Sequence, residues 1–189
     1  MISPNRIYRN FYHDLNKLFL LKKIEYFQLR LKDVHKNNII YVGKKIKKIC
    51  KKHKVKFIIN DSPEIAKILD ADGCHLGQSD TSIKTARKLL KNKIIGITCH
   101  NSIKLIKNAT ASGADYIAIG AFFYSNTKKI SYKCKLSFIK KAKSITKLPL
   151  ITIGGISNSN YKNVVLHNPN FLAISGYIWN NKKYKPLEA

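Results

Sequence analysis

Two aspartates stand where a carboxylate could do chemistry. Asp61 follows the apolar run 55–60, and Asp80 closes the sequence His-Leu-Gly-Gln-Ser-Asp at 75–80. The chain has 10 Asp and Glu residues against 36 Lys and Arg residues, so acids at the ends of two successive predicted strands are expected to hold something positive. Carboxylates suit Mg²⁺, whose sites usually combine one or two of them with substrate phosphates. The pattern predicts an enzyme with a magnesium site at these two acids.

The same acids also have purely structural explanations. Asp61 could be a turn residue ahead of Pro63, and Ser79 or Asp80 could cap the helix predicted to follow. His75 lies inside a strand-like run, which is typical of a packed, hydrogen-bonded core histidine. On these residues alone, the functional and the structural explanations both stay open.

Further polar side chains are expected at the same strand ends. Gln28, Arg30 and Lys32 alternate along one predicted strand, so their side chains point to one face. Because unpaired cations inside a barrel are costly, that face is expected to hold an anion, and phosphate or diphosphate fits. His100 lies two residues after Thr98, past another strand end, and could relay a proton.

Three later segments add groups suited to a phosphate. One predicted loop supplies hydroxyl groups and a cation: Ser125, Asn126, Thr127 and Lys128. Gly154 and Gly155 allow the backbone to approach a ligand closely. Ser175 and Gly176 lie at the end of the last predicted strand, and a phosphate site after the last strands is a recurrent barrel feature.

Short apolar runs and lysine-rich amphipathic stretches alternate along the chain. The runs recur roughly every 20 to 25 residues, and their length and isoleucine content suit strands buried on both faces. The predicted strands are 26–31, 55–60, 73–76, 94–98, 116–121, 150–153 and 172–175. The predicted helices lie at 11–21, from Pro63 onward, at 85–90, from Asn101 or Ser102 to near Gly113, at 135–147 and at 158–167.

This alternation predicts an α/β protein with a parallel sheet, and its spacing favours a compact (β/α)₈ TIM barrel formed by residues 1–189 as a single domain. An open doubly wound sheet is the alternative. Only residues 1–6 remain for a first strand, which is therefore expected to be short or missing. The last helix is expected to be curtailed, with only residues 179–189 after the final strand.

The formal net charge of +26 has two interpretations. It could mark a nucleic-acid-binding protein, which draws its affinity from Lys and Arg on phosphates. It could equally reflect lysines spread over solvated faces around a site for anionic substrates. The lysines are scattered along the whole chain rather than gathered in one tail, which favours the second interpretation.

Other features of the sequence predict a cytoplasmic protein. Cys50, Cys74, Cys99 and Cys134 form no Cys-x-x-Cys pair and no zinc-ligand spacing, so buried free thiols are expected. No apolar stretch approaches the roughly 20 residues of a membrane span, and the N-terminus lacks a signal-peptide apolar segment.

Six segments, in this order, resemble the motifs of the thiamine phosphate synthase family, which includes thiazole tautomerases. They are Gln28-Leu29-Arg30-Leu31-Lys32 (Q-x-R-x-K), Asn60-Asp61 (N-D), 75–80 (H-L-G-Q-x-D), 96–100 (G-I-T-C-H), 120–128 (a loop that usually ends in P-T-x-T-K) and 153–156 (I-G-G-I). The resemblance spans about residues 26–179. One departure is Tyr124-Ser125, where the family commonly has Pro-Thr.

The resemblance implies an Mg²⁺-dependent transferase. It would join hydroxymethylpyrimidine diphosphate to thiazole phosphate and release pyrophosphate. Carried over by position, Asp61 and Asp80 would hold Mg²⁺. The diphosphate would be held by Arg30, Lys32 and Lys128, which are the implied catalytic residues. The pyrimidine and its phosphates would be placed by Gln28, Asn60 and Thr98. The thiazole phosphate would be received by Ser125, Asn126, Thr127, Gly155, Ser175 and Gly176.

Two rival hypotheses remain. A thiazole tautomerase on the same scaffold would need the thiazole site and an acid or base, but no diphosphate or metal site. A basic nucleic-acid-binding protein would fit the charge, but the chain has no helix-turn-helix or RNA-binding signature. The predicted partners are therefore small-molecule substrates, without nucleic acid or membrane, and the oligomeric state is left open.

Overall fold

A computed structural model describes residues 1–124 and 132–189 and contains one parallel sheet of seven strands in chain order. The strands are β1 (Tyr26–Leu29), β2 (Lys56–Asn60), β3 (Gly73–Leu76), β4 (Ile94–His100), β5 (Tyr116–Ile119), β6 (Leu150–Ile153) and β7 (Phe171–Ala173). The helices are α1 (Phe11–Leu20), α2 (Lys36–Lys52), α3 (Pro63–Ile68), α4 (Ile83–Leu90), α5 (Ile103–Ala111), α6 (Ser137–Ile145), α7 (Tyr161–Val165) and α8 (Gly176–Trp179). Strands in sequential order confirm the barrel prediction, because a doubly wound sheet reverses its strand order.

Residues 1–3 close the sheet between its two edges. Ile2 forms a parallel bridge with Gln28 of β1, and its N–H donates to the carbonyl of Ile174, 3.0 Å away, just past β7. The indole N–H of Trp179 donates to the carbonyl of Ile2 at 2.7 Å. The predicted short first strand is therefore a single bridge that closes the barrel.

The last helix is curtailed, as predicted. It is α8, which spans only Gly176–Trp179, shortly after β7. The reason lies in the local chemistry of the tail. The side-chain oxygen of Asn181 accepts the N–H groups of Lys183 and Tyr184, which forms a turn, and Pro186 has no N–H to continue a helix.

Serine hydroxyls cap three of the helices. Ser62 accepts the N–H of Ile65 at the start of α3, and Ser102 caps α5 in the same way. The cap of α4 is Ser82, so the prediction that Ser79 or Asp80 caps it is wrong. Asp80 does not cap α4 because its carboxylate turns back and accepts the N–H of Gly77 at 2.6 Å.

The barrel core is built from residues buried on both sides of the sheet. All four cysteines are buried and free, as predicted. Burial raises the pKa of Cys50 and of Cys99 to about 12 and that of Cys134 to about 11, so these thiols stay protonated at neutral pH. Among the described residues, no helix has the length and apolar character needed to cross a bilayer.

A reciprocal pair of hydrogen bonds at the amino-terminal edge of the sheet recurs between adjacent strands, at β2 and β3, β4 and β5, and β6 and β7. Asp115 precedes β5, accepts the N–H of Ile95 at 2.7 Å and donates its own N–H to the Ile95 carbonyl at 2.8 Å. Asp72 before β3 and Asn170 before β7 make the same reciprocal pair with Phe57 and Leu150. Asp72 and Asp115, two of the ten acidic residues, therefore have a structural role: each binds a backbone N–H of the adjacent strand.

We expect Asp115→Ala to lower the free energy of unfolding by about 1–3 kcal/mol, because it leaves the buried N–H of Ile95 without an acceptor. Asp115→Asn is the matched control and should cost less, since Asn170 performs the same task in the third pair. The asparagine variant gives up mainly the exposed pair with Arg87, which contributes about 0–1 kcal/mol. Urea unfolding measures both values, and equal losses in the two variants would contradict this role.

Candidate active site

The predicted site residues of β1 extend beyond the strand itself. β1 ends at Leu29, so the expectation that Gln28, Arg30 and Lys32 alternate along one strand holds only for Gln28. The strand ends there because Arg30 turns its backbone to Ser3: its N–H donates to Oγ at 2.9 Å, and its carbonyl accepts from the same hydroxyl at 3.1 Å. The guanidinium of Arg30 donates to Asn5 at 3.2 Å.

Lys32 and Asp61 form an ion pair at the neighbouring strand ends β1 and β2. Asp61 has a φ of 66°, in the left-handed region, which a short acidic side chain tolerates better than most. Its backbone N–H donates to the carbonyl of His75 on β3 at 2.7 Å. This hydrogen bond to the adjacent strand holds the backbone that carries the carboxylate.

Asp80 lies beside Asp61 and forms an acid pair with it. Burial first, and then the neighbouring carboxyl group of Asp61, raise the pKa of Asp80 above its ordinary value. The N–H of Gly77 and the ammonium of Lys32 oppose that rise. The structure therefore brings Lys32, Asp61 and Asp80 together from three successive strand ends.

The acid pair suits a divalent cation that has ligands besides the protein. Carboxylate oxygens are the ligands Mg²⁺ prefers, and it is commonly held by one or two of them plus substrate phosphates. Within 1–124 and 132–189, no cluster of three His, Cys, Asp or Glu residues could hold a metal by itself. The acid pair therefore fits Mg²⁺ on the condition that a phosphate-bearing ligand completes the coordination.

Thr98 on β4 is held from two sides by residues of the 75–80 segment. Nε2 of His75 lies 2.9 Å from the Thr98 hydroxyl oxygen. The side-chain amide of Gln78 donates to the Thr98 carbonyl at 2.5 Å. The segment thus connects the acid pair, through Asp80, with the next predicted binding residue.

β4 changes register just after Thr98. Thr98 pairs with Ala118, whereas His100 pairs with the very next residue, Ile119, so β4 carries a bulge. Bulges of this kind occur beside active sites, where they redirect a side chain. The ring of His100 lies 4.3 Å from that of Tyr132, with an angle of 31° between the planes.

Gly154 and Gly155 permit close contact between the ends of β5 and β6. Their φ values are 105° and 62°, and a methyl group on Gly155 would overlap the backbone carbonyl of Tyr124. The N–H of Phe123 donates to the carbonyl of Gly154 at 3.0 Å. Close packing here brings the segment that leads into residue 125 against the β6 end.

The remaining predicted residues have the following positions. Asn60 ends β2. The Ser175 hydroxyl donates to the carbonyl of Ser3 at 2.9 Å, and Gly176 is the first residue of α8. The four loop residues Ser125, Asn126, Thr127 and Lys128 lie outside the described residues.

Comparison with known proteins decides the family. The family model described as thiamine monophosphate synthase matches residues 1–178. The thiamine-phosphate synthase of Pelagibacter ubique strain HTCC1062 is 61% identical over 190 residues, covering 100% of this chain and 92% of that protein. The chain belongs to the thiamine monophosphate synthase family. It is a transferase that makes thiamine phosphate.

Other members of the thiamine monophosphate synthase family agree in sequence and in fold. The thiamine-phosphate synthase of Erythrobacter litoralis strain HTCC2594 is 37% identical over 166 residues, covering 86% of this chain and 78% of that protein. The structure of thiamine phosphate pyrophosphorylase from Pyrococcus furiosus superposes with a TM-score of 0.85 at 24% identity, over 96% of this chain and 86% of that one. This superposition supports the barrel fold.

Two residues of the barrel interior escaped the sequence-based site prediction for this family member. Tyr116 on β5 forms a hydrogen bond with His75, and Gly96 on β4 lies between them. The signal was a glycine inside a buried strand, which often marks a close approach by another group. His75 is a packed, hydrogen-bonded histidine, as predicted.

Proposed function

We propose that this enzyme joins hydroxymethylpyrimidine diphosphate to thiazole phosphate at the mouth of the barrel. The C–O bond between the pyrimidine methylene and the diphosphate breaks, and its electron pair leaves with the diphosphate oxygen. The lone pair of the thiazole nitrogen then forms the new C–N bond to the methylene. The observation that carries this proposal is the cluster of Lys32, Asp61 and Asp80, in which an ammonium group lies beside a pair of carboxyl groups.

Positive charge on the chain would stabilise the departing diphosphate. Lys32 is already at the strand ends, and Arg30 follows the same strand; Lys128 is the third cation of the proposal. Charges fixed in advance stabilise charge that develops in a transition state without reorganising at the moment of reaction. The chemistry that Mg²⁺ supplies when bound at Asp61 and Asp80 is neutralisation of the leaving group.

Other residues would orient the two substrates. Gln28, Asn60 and Thr98 are proposed to place the pyrimidine and its phosphates, and Gln28 is the buried member of this set. The thiazole phosphate is proposed to contact Ser125, Asn126, Thr127, Gly155, Ser175 and Gly176. Because the Ser175 hydroxyl is donated to Ser3, we expect Ser175 to contribute through its backbone.

The tautomerase alternative uses less of this arrangement. An isomerase acting on the thiazole alone has no leaving group, so it needs neither paired carboxylates nor a lysine beside them. The acid pair with Lys32 therefore favours the synthase.

The test is to mix both substrates with the enzyme and Mg²⁺ and to measure pyrophosphate and thiamine phosphate together. We expect equal amounts of the two products and no product when the metal is chelated. Tautomerisation of a thiazole carboxylate without pyrophosphate release would contradict the proposal.

The metal part of the proposal has its own measurement. Since two carboxylates are too few to hold Mg²⁺ tightly, calorimetry should show weak binding of Mg²⁺ alone and at least tenfold tighter binding when pyrophosphate is present. Binding of Mg²⁺ that is equally tight without pyrophosphate would contradict the dependence on a phosphate-bearing ligand.

A further inference from the structure

A continuous chain of hydrogen bonds crosses three neighbouring strands inside the barrel. The hydroxyl of Tyr116 on β5 lies 2.8 Å from Nδ1 of His75 on β3, and Nε2 of His75 lies 2.9 Å from Oγ1 of Thr98 on β4. The rings of His75 and Tyr116 are stacked, with centroids 5.5 Å apart and planes inclined by 20°. Of the three residues, only Thr98 has a role in the function proposed above.

A glycine makes this chain of hydrogen bonds possible. Gly96 of β4 pairs with His75 on one side and with Tyr116 on the other, so all three belong to one layer of the barrel. A methyl group on Gly96 would overlap the ring of Tyr116. The missing side chain lets the tyrosine ring lie across β4 and reach a strand that is not its neighbour.

The Tyr116 hydroxyl determines which nitrogen of His75 carries the proton. His75 is the hydrogen-bonding partner of the Tyr116 hydroxyl, and a desolvated O–H must donate to an acceptor. Burial raises the pKa of Tyr116 above its ordinary value, so this hydroxyl keeps its proton. Tyr116 therefore donates to Nδ1, which leaves the proton of a neutral His75 on Nε2.

The same logic fixes the hydroxyl of Thr98. Because Nε2–H of His75 donates to Oγ1, the O–H of Thr98 is left to donate to a different acceptor. The amide of Gln78 holds the Thr98 carbonyl, so the backbone at this position is fixed as well. An acceptor atom of a ligand, bound to the Thr98 O–H, would complete this chain of hydrogen bonds.

We propose that Tyr116 and His75 are positioning residues that hold the Thr98 hydroxyl as a hydrogen-bond donor to an acceptor atom of the pyrimidine diphosphate. This inference rests on the proposed pyrimidine site. A hydroxyl that is free to rotate would accept from a donor group equally well. A hydroxyl fixed as a donor binds an acceptor, either a ring nitrogen or a phosphate oxygen, and disfavours an amino group or a C–H at that place.

The proton order can be measured without substrate. In ¹⁵N-labelled protein, long-range ¹H–¹⁵N NMR spectra distinguish the two neutral histidine tautomers, and Tyr116→Phe identifies the His75 signals by the change it causes at Nδ1. We expect a single Nε2–H tautomer in the natural protein and a mixture of tautomers in Tyr116→Phe. A proton on Nδ1 in the natural protein would overturn the inference.

The effect on the ligand is measured by steady-state kinetics. Tyr116→Phe removes one hydroxyl and should raise the KM for the pyrimidine diphosphate by about threefold to tenfold, with the thiazole phosphate KM unchanged. Tyr26→Phe is the matched control, because it removes a hydroxyl from another barrel tyrosine whose ring packs on Phe171, and it should change neither value. Equal changes in both KM values for Tyr116→Phe, or none, would overturn the positioning role.

A double-mutant cycle separates positioning from a merely structural effect. In a Thr98→Val background, Tyr116→Phe should have no further effect on the pyrimidine KM, whereas in Thr98→Ser it should keep its full effect. Additive losses in Thr98→Val would overturn the inference. Failure of the proposed function is distinguishable, because it would appear as a natural enzyme that releases no pyrophosphate, whatever the tautomer of His75.

Discussion

The Asp61→Asn enzyme is expected to fold normally and to lose about 10²- to 10³-fold in kcat/KM. Asparagine keeps the shape of the side chain and tolerates the φ of 66° at this position. It removes one of the two negative charges of the acid pair, and with it a charged ligand for Mg²⁺. The loss should be greatest at low Mg²⁺ and should shrink as the Mg²⁺ concentration rises.

The stability of this variant should differ by no more than about 1 kcal/mol from that of the natural protein. Asp61 is partly exposed, and pairs of this kind contribute little. The substitution also relieves the repulsion between two neighbouring carboxylates. Thermal unfolding and steady-state kinetics at several Mg²⁺ concentrations give both quantities.

Asp70→Asn is the matched control for Asp61→Asn. Asp70 is also an exposed acid paired with lysines, Lys47 at 3.0 Å and Lys93 at 2.7 Å, but it precedes β3 and so lies at the opposite edge of the sheet. Its replacement should leave kcat/KM unchanged. Full activity of Asp61→Asn at low Mg²⁺ would remove Asp61 from the metal site.

Lys32→Gln is expected to lower kcat by about 10²-fold while changing the thiazole phosphate KM little. Lys32 is the cation that the structure places directly on the acid pair. Charge builds up on the diphosphate as its bond to the methylene breaks, so the ammonium stabilises the transition state more than the bound substrate. The kinetic experiment is a comparison of kcat and both KM values under saturating Mg²⁺.

Lys93→Gln serves as the control for this substitution, since Lys93 pairs with Asp70 as Lys32 pairs with Asp61, but at the amino-terminal edge. It should leave kcat unchanged, so that general loss of positive charge from a chain of net charge +26 is separated from loss at the site. A rise confined to the thiazole phosphate KM in Lys32→Gln would reassign Lys32 to the second substrate.

The strands and their order could be predicted because local patterns encode them. In runs such as 57–59 and 150–153, apolar side chains point to both faces of the strand, and a parallel sheet covered by helices buries both faces. Helix starts were less predictable. Ser79, Asp80 and Ser82 are all able to cap a helix, and Ser82 does so because Asp80 is engaged with Gly77.

The sequence by itself determined the barrel class, the family motifs and the residue types at each strand end, because periodicity and short motifs are local properties of the chain. It could not determine which side chains at those strand ends contact one another. Closure of the barrel by residues 1–3 depends on hydrogen bonds to residues near both ends of the chain. The pairing of Lys32 with Asp61 and the chain from Tyr116 through His75 to Thr98 depend on side chains from different strands. Such contacts between distant residues are fixed only when the sheet curls, and only the tertiary structure decided them.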